Sequence, residues 1–150
     1  MVRIFVDADA CPVKDEVVKI AQRHQVDSFM VSNGGLRPYR NPHVKMVIVE
    51  EGIDAADNWI IDEIGNGDIA VTSDMLLAER CVDAGALVLK PNGNTIDEKN
   101  IGALVGTRNL MTELRNAGKI SGGTRIFRRQ DRSNFASSLE RAVYRLGNQI

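Results

Sequence analysis

Cysteine, histidine and aromatic side chains are scarce in this chain of 150 residues: two Cys, two His, one Trp, two Tyr and four Phe. Cys11 and Cys81 make neither a disulfide framework nor a zinc-type cluster, so a reduced, cytoplasmic protein is expected. His24 and His43 lie far in sequence from the acidic segments and are expected at the surface. The few aromatics leave little for stacking on bases, which predicts weak sequence preference toward any nucleic acid. No apolar run approaches the ~20 residues of a membrane span. The N-terminus has no charged region leading into a long apolar core, so no secretory leader is expected. The net charge is −1.

That near-neutrality hides a division. Residues 1–104 carry 10 Lys and Arg against 17 Asp and Glu, whereas residues 105–150 carry 9 against 3. Lys119, Arg125, Arg128, Arg129 and Arg132 crowd one short basic arm. Such an arm either neutralises the acidic body or binds phosphate beside it.

The most informative segment is Asp7-Ala8-Asp9-Ala10-Cys11-Pro12, which follows the apolar run Val2–Val6. Arg3–Val6 reads as a buried strand, and Pro12 is preset for a first helical turn. In an extended segment residues two apart point the same way, so the carboxylates of Asp7 and Asp9 are expected to converge. Like charges that close repel unless a cation or shared proton offsets them. On that ground a metal-free Asp9→Asn variant is expected to gain stability.

Further along, strands alternate with helices. The pattern predicts a helix over 12–24, strands at 28–31 and 44–49, and a helix over 55–64. A buried strand over 69–72, a helix over 76–84 and a short strand over 87–89 follow. Thr95-Ile96-Asp97-Glu98 has the form of a capping box and predicts a helix from there to about residue 117. Residues 119–132 read as a loop and 134–146 as an amphipathic helix. There is no repeat and no linker, so a single domain over 1–150 is expected, with a basic C-terminal arm and helix over about 119–150. At this length a chain buries roughly two-thirds of its unfolded surface without staples.

Alternating strands and helices predict an α/β fold, a doubly wound and mostly parallel sheet. Ligands of such sheets bind beyond the carboxyl ends of the strands, where the strand order reverses. Asp7 and Asp9 follow one strand there, Ser73 and Asp74 follow another, and Asp54 and Asp57 open a helix. Alone, Asp74 or Asp54 reads as a helix cap. Their joint placement on one rim marks Asp7, Asp9, Asp57 and Asp74 as candidate catalytic and metal-binding residues, with Asp54, Thr72, Ser73 and Cys11 in support. Carboxylate donors without a His or Cys cluster suit Mg²⁺ or Mn²⁺. Cys11 opens a helix, where the dipole lowers a thiol pKa, but adjacent acids oppose this and a packed thiol is expected.

The run Val6–Lys14 resembles the opening of the YaiI/YqxD family. So do Asp54–Ile60, Gly67–Gly93, Asn100-Ile101-Gly102, Arg108, Met111, Glu113-Leu114-Arg115, Asp131, Arg132 and Phe135. The chain departs from the family at Gly122-Gly123-Thr124-Arg125-Ile126-Phe127, where the family usually has prolines. The resemblance implies a three-layer, PIN-like (Rossmann-like) domain with a mostly parallel central sheet flanked by helices. It also implies metal-dependent nuclease chemistry at acids matching Asp7, Asp57 and Asp74, with Asp9 as an extra acid.

The expected reaction is phosphodiester hydrolysis, with divalent ions held by Asp7, Asp9, Asp57 and Asp74 and a water positioned by Thr72 or Ser73. Lys119, Arg125, Arg128, Arg129 and Arg132 would hold the nucleic-acid backbone, RNA ahead of DNA. Two other readings stand beside it. Asp-x-Asp after the first strand also resembles the haloacid-dehalogenase phosphatases, with Asp7 as nucleophile and Thr72 or Ser73 and Lys90 on phosphate. The last is a catalytically silent RNA-binding module.

Overall fold

The alternation closes into one six-stranded sheet. A computed structural model describes residues 2–50, 52, 54–116 and 126–147. In chain order these form β1 (Arg3–Asp7), α1 (Lys14–His24), β2 (Asp27–Ser32), β3 (Val44–Ile48), α2 (Ala55–Glu63) and β4 (Ile69–Val71). They continue as α3 (Met75–Asp83), β5 (Leu87–Leu89), β6 (Thr95–Ile96), α4 (Ile101–Asn116) and α5 (Arg129–Gly147). The strand order is β3-β2-β1-β4-β5-β6, parallel except for the antiparallel β5–β6 pair. The fold is therefore α/β with a mostly parallel sheet between helices, as expected.

Both faces of the sheet are covered, which is why its central strands read as continuous apolar runs. Ile4, Val6, Met30, Ile69, Val71 and Leu89 pack with α1 and α5 through Val17, Ile20, Phe135 and Leu139. Phe5, Val31, Ala70 and Val88 pack on the other face with Ile60 of α2 and Leu77, Ala78 and Cys81 of α3. Val17, Ile20 and Ala21 are buried on α1 at the spacing of one helical face. Gln25 then ends the helix in the left-handed region, at φ 55.

Four local expectations are corrected. Residues 8–10 turn as a short 3₁₀ helix before α1, which starts at Lys14 rather than Pro12. Thr95-Ile96 is the strand β6; Asp97 then accepts from the N–H groups of Lys99 and Asn100, and the helix begins only at Ile101. The capping-box pattern was present, but Ile96 is fully buried against β5, and that burial decides the strand. Asp54 sits at φ 67 and its side chain caps nothing. Finally, α5 begins at Arg129, five residues before the expected start. The backbone N–H of Arg128 donates to the Asp131 carboxylate, and this cap carries the helix back into the polar stretch. Lys119 and Arg125 of the basic arm lie outside the described residues.

Candidate functional site

The strand order reverses between β1 and β4. Successive strands add outward from β1 through β2 to β3, and the chain then returns to place β4 on the opposite side of β1. The carboxyl ends of β1 and β4 thus form the switch point at which parallel sheets open a crevice. Asp7 ends β1, and Thr72-Ser73-Asp74 follow β4.

Thr72 bridges the two ends. Its hydroxyl donates to Asp7 Oδ2 at 3.1 Å and accepts from the backbone N–H of Asp74 at 3.0 Å. With 3% exposure Thr72 is fixed, so it holds Asp7 and leaves the exposed Ser73 as the hydroxyl open to water. Asp74 caps α3, its Oδ1 accepting from the N–H groups of Leu76 and Leu77 at 2.9 and 3.3 Å. The cap and site readings of Asp74 coexist, since its second oxygen has no hydrogen-bond partner among the described residues.

Charge links these acids further. Burial pushes the Asp7 carboxyl above its ordinary pKa; the Thr72 hydrogen bond opposes this, and Asp74 and Asp9 add to it. Burial likewise raises Asp57, in the first turn of α2, with Asp7, Asp74 and Asp54 raising it further. Arg80 acts on Asp57 in the opposite direction while donating to Asn58 Oδ1 at 3.3 Å. Asp7, Asp57 and Asp74 therefore share one electrostatic neighbourhood, and Asp54 lies at its exposed margin.

Asp9 is placed differently. The 3₁₀ turn breaks the two-residue alternation that would have aimed it beside Asp7, and its carboxylate accepts from the backbone N–H of Asn33 at 3.0 Å. Asn33 in turn donates its side-chain amide to the Glu50 carbonyl at 3.2 Å. Asp9 thus ties the segment after β1 to the segments after β2 and β3. Lys14 secures the same turn by donating to the carbonyls of Ala8 and Cys11 at 3.3 and 2.8 Å. Cys11 is buried, and desolvation pushes its thiol up to about 11, so it is the packed residue expected.

Carboxylate oxygens alone suit a hard divalent cation. Among the described residues, however, no group of three or more His, Cys, Asp or Glu is arranged to hold one. The donor chemistry fits Mg²⁺ or Mn²⁺, while three-fold coordination requires the side chains of Asp7, Asp57 and Asp74 to swing toward a common point.

The basic residues divide. Arg132 is committed, donating to both Glu16 oxygens at 2.8 and 2.9 Å and to the Pro12 carbonyl at 3.0 Å, with its guanidinium over the Phe127 ring. Arg128 and Arg129 are exposed at the start of α5. The two histidines are half-buried rather than free, His24 against Glu140 and His43 against Asp27. No helix among the described residues is long and apolar enough to cross a membrane. Sequence reasoning missed Asn33, Lys14 and Arg80, each of which acts through a contact with a distant or turned segment rather than through a motif.

A family model described as "Uncharacterized BCR, YaiI/YqxD family" matches residues 5–145. A UPF0178 protein of Rhodopseudomonas palustris strain CGA009 is 48% identical over 149 residues, covering 99% of this chain and 94% of its own. A UPF0178 protein of Cereibacter sphaeroides strain ATCC 17025 is 53% identical over 144 residues, covering 95% and 89%. One from Roseobacter denitrificans is 50% identical over 144 residues, covering 95% of each chain. No solved structure matches at a significant level.

Proposed function

Starting from a chain that belongs to the uncharacterised YaiI/YqxD family, we propose that its acid rim hydrolyses phosphodiester bonds of nucleic acid, RNA ahead of DNA, with Mg²⁺ or Mn²⁺ at the carboxylates. The observation that carries this reading is the bridge Asp7–Thr72–Asp74 across the switch point, with Asp57 in electrostatic reach. When bound, the ion would polarise the phosphate and lower the pKa of a coordinated water.

Asp7, Asp57 and Asp74 would hold it. Burial and mutual repulsion raise Asp7 and Asp57, and a divalent cation relieves both effects at once. Thr72 fixes Asp7 in place, and Asp9 keeps the segment after β1 against Asn33, so both act as positioning residues. Exposed Ser73 orients the attacking water. Arg80, whose charge reaches Asp57, would offset negative charge on the phosphate. Arg128 and Arg129 hold the backbone of the strand.

Calorimetric titration with Mn²⁺, joined to a panel of single-stranded RNA and DNA substrates, tests the proposal. Asp74→Asn preserves the helix cap, because Asn accepts the same N–H bonds. It is expected to fold, to bind Mn²⁺ at least tenfold more weakly, and to lose turnover; removing an outer-shell partner alone is worth about 10–100-fold. Equal metal affinity in the wild type and Asp74→Asn would sink the assignment. Turnover of a phosphomonoester with an acyl phosphate trapped on Asp7 would replace it by the phosphatase reading. Nucleic-acid binding without turnover would leave the silent module.

A further inference from the structure

We propose that the acid rim is the midpoint of a phosphate track that holds the interior of a single nucleic-acid strand, with Arg37 on one flank and Lys90, Arg128 and Arg129 on the other. The identity of the ligand as nucleic acid rests on the function proposed above. The two-sided placement rests on the sheet.

Across the carboxyl edge the order of strand ends is β2, β1, β4, β5. The segment after β2 carries Arg37, which lines a groove with Lys14, Asp15, Leu36, Pro38 and Tyr39 beside the first turn of α1. Tyr39 fixes this segment by donating its hydroxyl to Asp15 at 3.0 Å, which also engages the nearest acid. At the opposite flank Lys90 directly follows β5, whose Leu89 carbonyl accepts from the backbone N–H of Thr72 at 3.2 Å.

The start of α5 lies against the turn after Lys90. Gly93, at φ +94, approaches so closely that a Cβ there would stand 2.7 Å from the Asn134 carbonyl carbon. Ser138 also donates to the Gly93 carbonyl at 2.8 Å. Arg128 and Arg129 open the helix that meets this turn at Asn134 and the start of α1 at Arg132, which puts them at the rim between Lys90 and α1. Between the flanks Asp7 ends β1 and Asp74 caps the helix that follows β4.

Pairing commits some cations elsewhere, but Lys19, Arg40, Lys99 and Arg145 also lack a side-chain partner among the described residues, so it is position at the strand ends that selects the four. Arg3, Arg23 and Arg132 are bound to Asp68, Glu140 and Glu16. Arg37, Lys90, Arg128 and Arg129 have no side-chain partner among the described residues, and Lys90 alone of the four is not fully exposed. The ends of β2 and β5 are three strand spacings apart, about 14 Å. A strand of roughly four nucleotides or more spans that distance. Cations on both sides of the acids contact phosphates on both sides of the one held at the centre, so no strand end is needed.

The test is fluorescence-polarisation binding of a circular single-stranded RNA and of its linear form, in EDTA, across a series of salt concentrations. The circle is expected to bind within about twofold of the linear strand. The slope of log K against log salt is expected to flatten by roughly 0.7 in Arg37→Ala and by the same amount in Lys90→Ala. Both variants replace surface side chains, so their melting temperatures should match the wild type. A requirement for a free end, a slope unchanged in either variant, or no binding at low salt overturns the proposal. Because no metal is present, the track and the metal assignment fail independently.

Discussion

Asp7 is the residue at which folding and function pull apart. Its carboxyl is raised by burial and by Asp74 and Asp9, so the charged form costs stability at neutral pH. A raised acid lowers stability above its folded pKa, and the loss disappears as pH falls below its unfolded one. Metal-free Asp7→Asn is therefore expected to melt higher than the wild type at about pH 7.5, by about 2–4 °C if the charge costs about 1 kcal/mol. The two should converge near pH 3.5, which thermal melts in EDTA at both pH values will check. The gain belongs to Asp7 and not to Asp9, whose carboxylate accepts a backbone N–H that Asn would hold less well. The shared neighbourhood of Asp7, Asp57 and Asp74 was legible in the sequence because strand ends and helix starts can be read from apolar runs. The direction of Asp9 was not, since a 3₁₀ turn of three small or acidic residues leaves no periodic signal.

Between elements, the decisive contact is the seam of α1 and α5. Arg132 binds Glu16 at the rim end, and Arg23 and His24 bind Glu140 at the other. The His24 hydrogen bond, with help from Arg23, holds the Glu140 carboxyl below its ordinary range. A depressed acid contributes stability above its unfolded pKa and loses it as pH falls through the folded one. Wild type is thus expected to melt about 1–3 °C above Glu140→Gln near pH 6, the modest value of an exposed pair. That margin should vanish by about pH 3, read from paired melting curves. Most elements were legible, since β1, α1, β4 and α3 have unambiguous apolar patterns. The start of α5 and the strand β6 were not. A charged stretch reads as loop until Asp131 is seen to cap it, and a two-residue strand is decided by burial against β5.

For the whole molecule, the sheet divides two cores, and each holds one thiol. Cys11 lies with α1 and α5, Cys81 with α2 and α3. Desolvation pushes them up to about 11 and about 12, so native protein should resist iodoacetamide at both. If the layers unfold together, both thiols become reactive at one urea midpoint, which mass spectrometry of the labelled peptides will show; separate midpoints would mean that the layers melt apart. The bridge between Asp7 and Thr72 carries a further consequence, in time rather than in space. It joins residues 65 positions apart, across a strand pair that cannot form until β4 exists. A nascent chain that has delivered β1, β2 and β3 already owns half of its sheet, yet lacks the partner that fixes Asp7. Until β4 has emerged, the growing polypeptide has neither the Thr72 hydroxyl that holds Asp7 nor the Asp74 that faces it across the rim.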